Sequence, residues 1–205
     1  MPDAAQTWDE HYAAKPQVWS GRVNTQLAAI AAGLTPGRAL DLGCGEGADA
    51  VWLADHRWTV VATDVSTVAL QRACAAARDR GVGDRIDFVH TDLEHGLPEG
   101  PFDLVSAQFL HSTVALDRPT VLRRAAAAVA PGGVLLIVDH AAAPPWTTRM
   151  HHHEFPTAEQ VLAGLELDPA SWERVRVDSV QRVVTGPDGA EATLFDNVIW
   201  LRRVA

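Results

Sequence analysis

The segment Leu40-Asp41-Leu42-Gly43-Cys44-Gly45-Glu46-Gly47 constrains this chain more than any other. It closes a short apolar run, Arg38 to Leu42, and opens a stretch of helical composition, Ala48 to His56. Glycines so closely spaced let the backbone turn tightly and let a ligand approach the main chain. The helix start beyond them offers N–H groups with no partner in the helix. A second apolar run, Trp58 to Thr63, is followed by Asp64, 21 residues after Gly43. A carboxylate at that place is set to accept hydrogen bonds from a ribose diol. A tight turn with a helix cap and no ligand is the plainer alternative.

The alternation continues downstream. Ser66 is placed to cap a helix running to about Arg80, with Gly81 and Gly83 after it. Ile86 to His90, Phe102 to Ala107 and Val134 to Val138 read as three further strands. Leu97 to Pro101 is a turn, Asp117 caps a helix from Arg118 to Ala130, and Pro131-Gly132-Gly133 ends that helix. Upstream, residues 4–14 and Thr25 to Ala32 read as helices, the second capped by Asn24. Short strands that are apolar throughout suit parallel pairing with both faces buried. Right-handed crossovers then give a doubly wound sheet. The last third changes character: Pro156-Thr157 starts a helix to about Leu165, and Glu173 to Thr185 meets Ala192 to Val204 across Gly186-Pro187-Asp188-Gly189. Strands joined by so tight a turn are antiparallel. The expected fold is α/β: a Rossmann-like, doubly wound, seven-stranded sheet ending in an antiparallel hairpin, with helices on both faces in three layers.

A chain of 205 residues suits one domain. Its 17 basic and 26 acidic side chains leave a net charge of −9, which argues against a general nucleic-acid binder. No run approaches the roughly 18 apolar residues of a membrane span. The polar start Met1-Pro2-Asp3 is unlike a secretory signal, and Cys44 and Cys74 show no scaffold spacing, so a cytoplasmic protein is expected.

Gly43, Gly45 and Ala48 nearly satisfy a dinucleotide pattern, so an NAD-dependent oxidoreductase is one reading. Asp41 and Glu46 oppose a pyrophosphate, however, and suit a cationic head such as that of S-adenosylmethionine. "ALDLGCGEGADA", "VVATDVS", "DFVHTDLEHGLP", "FDLVSAQFLH" and "APGGVLLIVDH" resemble, in order and spacing, the motifs of class I S-adenosylmethionine-dependent methyltransferases over about residues 36–140. The resemblance implies that Asp41, Gly43 and Gly45 contact the methionine part of the cofactor and Asp64 the ribose. It places Val65 against adenine, Asp92 and Leu93 beside the adenine ring, and Gln108 at the methionine end. It also implies a seven-stranded sheet whose last strand is antiparallel. "TWDEHYAAKPQVWSG" is similar to the first segment of the thiopurine- and tellurite-resistance-type branch, where that segment folds over the cofactor. By that likeness Trp19 packs on the cofactor and Arg22 pairs with its carboxylate. Packing of Trp8, Tyr12 and Trp19 on the sheet is the alternative.

Methyl transfer from a sulfonium needs collinear positioning and exclusion of water, and a base only when the nucleophile arrives protonated. Histidine is the usual base. His111 and His140 follow the fourth and fifth strands, on the rim where substrates of such sheets bind, and are the catalytic candidates. Residues 141–156, with Trp146, Arg149, Met150 and His151-His152-His153-Glu154, read as a lid over the acceptor. Consecutive histidines on an extended chain alternate in direction, so no metal site is read there. Cys44 reads as a small packing residue, and Arg123-Arg124 and Arg202-Arg203 as solvated faces. The expectation is a single domain with a helical cap over residues 1–33. It would be a cytoplasmic monomer or homodimer that methylates a small-molecule acceptor on O, N, S or a chalcogen and releases S-adenosylhomocysteine. It is expected to bind neither nucleic acid nor a membrane. A non-catalytic S-adenosylmethionine-binding regulator is the rival reading.

Overall fold

Short runs of aliphatic and β-branched side chains lose water from both faces most completely inside a parallel sheet covered by helices. That is where this sequence puts them. The structure is a computed structural model describing residues 3–143, 145–146, 155–186 and 189–205. The strands are β1 (Arg38–Leu42), β2 (Thr59–Asp64), β3 (Ile86–His90), β4 (Phe102–Gln108), β5 (Val129–His140), β6 (Trp172–Thr185) and β7 (Glu191–Arg203). They form one sheet in the order β3-β2-β1-β4-β5-β7-β6. The first five are parallel; β7 runs antiparallel to β5 and to β6.

The helices are α1 (Ala4–Ala13), α2 (Thr25–Ala31), α3 (Ala48–Asp55), α4 (Thr67–Arg80), α5 (Arg118–Ala127) and α6 (Ala158–Gly164). One core joins Leu27, Ile30, Leu53 and Ala77 of α2–α4 to Val60, Leu104, Leu136 and Val138 of the sheet. The other joins Val121, Leu122 and Val161 of α5 and α6 to Leu40, Val105, Leu135 and Ile137. Neighbours along β5 alternate between the two cores, which is the period of a pleated strand. The sheet therefore lies between two helical layers, as expected. No helix among the described residues is long and apolar enough to cross a membrane.

The caps fall where the side chains placed them. Asn24, Ser66 and Asp117 each accept a backbone N–H from the first turn of α2, α4 and α5. Thr157 does so for α6, and Gln160 completes a reciprocal capping box. One boundary differs from expectation. β5 begins at Val129 and runs through Pro131-Gly132-Gly133, which the sequence reading took as a stop. Pairing with β4 overrides the local signal, at the cost of a register shift between Phe102 and Leu104 and a φ of +77° at Gly132. Gly186 N–H donates to Ala190 O at 2.7 Å to close the final hairpin; Pro187 and Asp188 lie outside the described residues.

Strand order reverses between β1 and β4, whose C-terminal residues Leu42 and Ala107 are direct neighbours. That switch point is where sheets of this kind bind ligands. The glycine loop leaves β1 there.

Candidate cofactor and acceptor site

The carboxylates at the strand ends stand at the centre of the site. Asp41 is 2% exposed, and its Oδ2 has no hydrogen-bond partner among the described residues. Burial, then the negative charges of Asp49 and Asp64, hold its carboxyl well above the usual range. Asp49, on α3, is pushed up to about 6 by burial, against one N–H bond from Asn24. Asp64 is also raised by burial, although its oxygens accept N–H bonds from Gly45 at 2.8 Å and Ser66 at 2.9 Å. Gln108, at the end of β4, donates to Ser106 Oγ at 2.9 Å, and its buried Oε1 has no hydrogen-bond partner among the described residues. Burial and the adjacent Asp41 and Asp64 push the Cys44 thiol up, so it stays protonated and packs, as expected of it.

Gly43 and Gly45 both lie in the left-handed region, at φ +67° and +53°. A Cβ on Gly45 would sit 2.9 Å from the Tyr12 hydroxyl and 3.3 Å from Trp19 Nε1. The loop is thus covered closely by the N-terminal segment. Tyr12 is 4% exposed and accepts a hydrogen bond from Trp19 Nε1 at 3.0 Å. Burial and Asp64 push its phenol up, so it remains a neutral hydroxyl. Asp9 of α1 accepts from Ser66 Oγ, Thr67 Oγ1 and Val68 N at the start of α4. Glu46 accepts the N–H groups of Val18 and Trp19 and pairs with Arg72 at 2.8 Å. Glu46 therefore faces the strap, not a ligand head, which corrects the charge argument made for it from sequence. Trp19 lies against the loop, while Arg22 is exposed and in no ion pair among the described residues.

At the ends of β2 and β3, Val65 O lies 2.9 Å from His90 Nε2. One Asp92 oxygen accepts Glu94 N–H, and the other is 3.2 Å from His95 Nδ1. Leu93 is buried in the α5-side core.

Beyond the ends of β4 and β5, the His111 and His140 rings are stacked with centroids 5.7 Å apart and planes within 11°. Phe109 stacks on the other face of His140 at 4.4 Å. Asp139, fully buried on β5, takes both its hydrogen bonds from Arg118 Nη2 at 2.5 Å, and burial still raises its carboxyl. Trp146 is exposed; Arg149, Met150, His151 to His153 and Glu154 lie outside the described residues.

Do these residues fit the cofactor that the sequence implies? A buried carboxylate oxygen without a donor is stable when a cation or N–H group arrives to pair with it. Asp41 Oδ2 is such an oxygen beside an open-backbone loop, and Gln108 Oε1 is a second acceptor one strand away. That donor-poor cluster of acids opposes phosphate and suits an ammonium or sulfonium. Residues 39–133 match the methyltransferase-domain family. Over that span, a little under half of its length, the chain is similar to the S-adenosylmethionine-dependent methyltransferases.

Methyltransferases elsewhere share parts of the chain. The trans-aconitate 2-methyltransferase of Streptomyces coelicolor is 36% identical over 110 residues, 51% of this chain and 36% of the relative. The ribosomal protein L11 methyltransferase of Thermus thermophilus is 38% identical over 93 residues, 43% of this chain and 36% of the relative. The chain thus spans about a third of the length of each. The N-methyltransferase NodS from Bradyrhizobium japonicum WM9, solved in complex with S-adenosyl-L-homocysteine, shares the fold with a TM-score of 0.69 at 23% identity, over 98% of this chain and 99% of that one.

Proposed function

We propose that this protein is a cytoplasmic enzyme that transfers the methyl group of S-adenosylmethionine to a small, partly apolar acceptor. The observation that carries the cofactor half is Asp41: an acid with an unpaired oxygen, pushed toward neutrality by burial and then by Asp49 and Asp64, beside the glycine loop. Asp41, Gln108 and the loop at Gly43 and Gly45 would hold the methionine part. Asp64 would hold the ribose, Val65, Asp92 and Leu93 would border adenine, and Trp19 and Tyr12 would close over the loop; Arg22 is proposed for the cofactor carboxylate. When bound, S-adenosylmethionine supplies an electrophilic methyl group on a sulfonium. The chain's own work is to orient, to exclude water, and to take a proton where the nucleophile carries one.

Two observations favour a small acceptor. The rim at the ends of β4 and β5 is aromatic, with Phe109, His111 and His140 packed together. Several arginines that could meet a polyanion are occupied within the fold: Arg123 bonds Gly164 O, Arg124 bonds Glu94 O, and Arg203 bonds Val129 O. A relative named for trans-aconitate shows that this domain serves small acids elsewhere, and one named for a ribosomal protein shows that it serves macromolecules too. Within this reading the chain is a single domain whose N-terminal segment caps the glycine loop.

Calorimetry with S-adenosylhomocysteine and with NAD, followed by transfer of labelled methyl to a panel of phenols, amines, thiols and carboxylic acids, tests the proposal. Tight binding of S-adenosylhomocysteine, no NAD binding and label on a small acceptor are expected. NAD binding alone overturns the cofactor assignment. Cofactor binding with label on none of the panel favours the non-catalytic regulator, and label on tRNA or ribosomal protein alone overturns the small acceptor.

A further inference from the structure

Glu46 stands in the glycine loop, yet its carboxylate is engaged by residues 14–24, the strap that joins α1 to α2. Its Oε2 accepts the N–H groups of Val18 at 3.1 Å and Trp19 at 2.9 Å, and its Oε1 accepts Arg72 Nη1 at 2.8 Å. Arg72, on α4, turns its Nη2 to Lys15 O at 2.8 Å. One ion pair thus grips the strap backbone at Lys15, Val18 and Trp19. At the far end of the strap, Asp49 accepts Asn24 N–H at 2.7 Å. Packing contributes little: none of residues 13–24 is buried, and Trp19 is 52% exposed. Against the opposing effect of burial, Trp19 N–H, then Arg72 and Val18, hold the Glu46 carboxyl below the usual range, so the pair is charged at neutral pH.

We infer that Glu46 and Arg72 form a latch that keeps the strap closed over Gly45, and that this latch opens each time S-adenosylmethionine enters or S-adenosylhomocysteine leaves. On the methyltransferase reading above, on which this inference rests, the methionine part of the cofactor lies against Gly45. That glycine is roofed in the closed form. An atom at its Cβ position would sit 2.9 Å from the Tyr12 hydroxyl and 3.3 Å from Trp19 Nε1. Trp19 Nε1 donates to the Tyr12 hydroxyl at 3.0 Å, so the roof is one hydrogen-bonded unit. The Trp19 backbone sets its place, and Glu46 holds that backbone. A ligand reaching the loop from this side therefore has to displace the strap. A segment tied by hydrogen bonds, with no buried side chain of its own, opens far more readily than the sheet beneath it.

A latch and a plain ligand contact leave different kinetic marks. In the free protein only the open fraction admits the ligand, so weakening the latch raises that fraction and speeds association. In the complex the same weakening speeds release. Both rates rise together, and affinity falls less than release quickens. A residue that only touched the ligand, or only propped the loop, would speed release and leave association unchanged or slower. Once closed over a seated cofactor, the strap keeps water from the reacting centre.

The test is surface plasmon resonance of the immobilised full chain with S-adenosylhomocysteine, for wild type, E46A, R72M and the double variant. Release is expected to be about fivefold faster or more in each single variant, and association about two- to threefold faster, as loss of charge-assisted hydrogen bonds implies. Because both residues belong to one latch, E46A/R72M is expected to match the faster single variant and not the product of the two effects. Association that is unchanged or slower in R72M, or effects that multiply in the double variant, overturns the inference. R72M leaves every residue of the glycine loop in place, so its rates decide the matter even where E46A fails to fold. Failure of the wild-type chain to bind S-adenosylhomocysteine at all instead sinks the methyltransferase reading, so the two failures are distinct.

Discussion

A carboxylate out of water with an oxygen unpaired destabilises the fold that holds it, and it stays only where something comes to use it. Asp41 is that residue here. Replacing it by Asn removes a charge that Asp49 and Asp64 repel, so the D41N protein without ligand should melt higher than wild type. Affinity for S-adenosylhomocysteine should fall by about tenfold or more, since hydrogen bonds to charged groups contribute ~1.5–3 kcal/mol. Equal affinity by calorimetry would place the ammonium elsewhere. Asp64→Ala behaves differently. It frees the Gly45 and Ser66 N–H groups as well as any ribose contact, so D64A should lose both stability and affinity, each by about 1–3 kcal/mol. Both acids were legible in the sequence, because the end of a strand beside a glycine loop is a fixed place in this topology. Asp49 and Tyr12 were not. Asp49 acts on Asp41 from the first turn of the next helix, and Tyr12 reaches Gly45 from 33 positions away, a contact that no local pattern encodes.

At the scale of elements, α1 and the strap after it are held to the sheet by few ties. Asp9 receives three hydrogen bonds from the cap and first residues of α4, and against the opposing effect of burial the Ser66 hydroxyl, then Val68 and Thr67, hold its carboxyl below the usual range. A negative group there also meets the positive end of the α4 dipole. Asp9→Ala should therefore release α1 without unfolding the sheet. Amide exchange along α1 should quicken while β4 and β5 keep their protection, and affinity for S-adenosylhomocysteine should drop because Tyr12 and Trp19 no longer cover Gly45. Unchanged exchange in α1 would show that Tyr12 packing alone holds the helix. Helix starts were readable because Asn24, Ser66 and Asp117 cap through their own side chains. The start of β5 was not. Pro131-Gly132-Gly133 reads as a stop, yet the pairing of Val129 with Phe102 of β4 draws the backbone into the sheet before them. Likewise a tight turn revealed the hairpin but not that β7, rather than β6, would pair with β5. The carboxylate beside His140 escaped for the same reason: Asp196 comes from the hairpin, and the β5–β7 register sets it opposite His140.

Across the whole molecule, the net charge of −9 is unevenly placed, with Asp41, Asp49 and Asp64 gathered around one loop. This sets a pH dependence whose sign can be worked out. Asp49 titrates at about 6 in the fold, and Asp41 and Asp64 are raised as well. Ordinary carboxylates of the unfolded chain titrate near ~4. Between those values the folded state binds more protons than the unfolded one, so stability falls as pH rises through that window. Asp9 and Glu46 have the opposite sign: hydrogen bonds lower them, and their contribution disappears as pH falls through their folded values. The protein without ligand should therefore resist urea better at about pH 5 than at pH 7, and weaken again below about pH 4. D49N should flatten the upper limb. Saturating S-adenosylhomocysteine should flatten it too, because an ammonium beside Asp41 favours the ionised carboxylate that burial opposes. Urea unfolding at the three pH values, with and without the ligand, separates these cases. A wild-type protein no more stable at pH 5 than at pH 7, with D49N indistinguishable from it, would mean that the acids around the loop are solvated in solution. The charge argument for a cationic cofactor would then lose its footing.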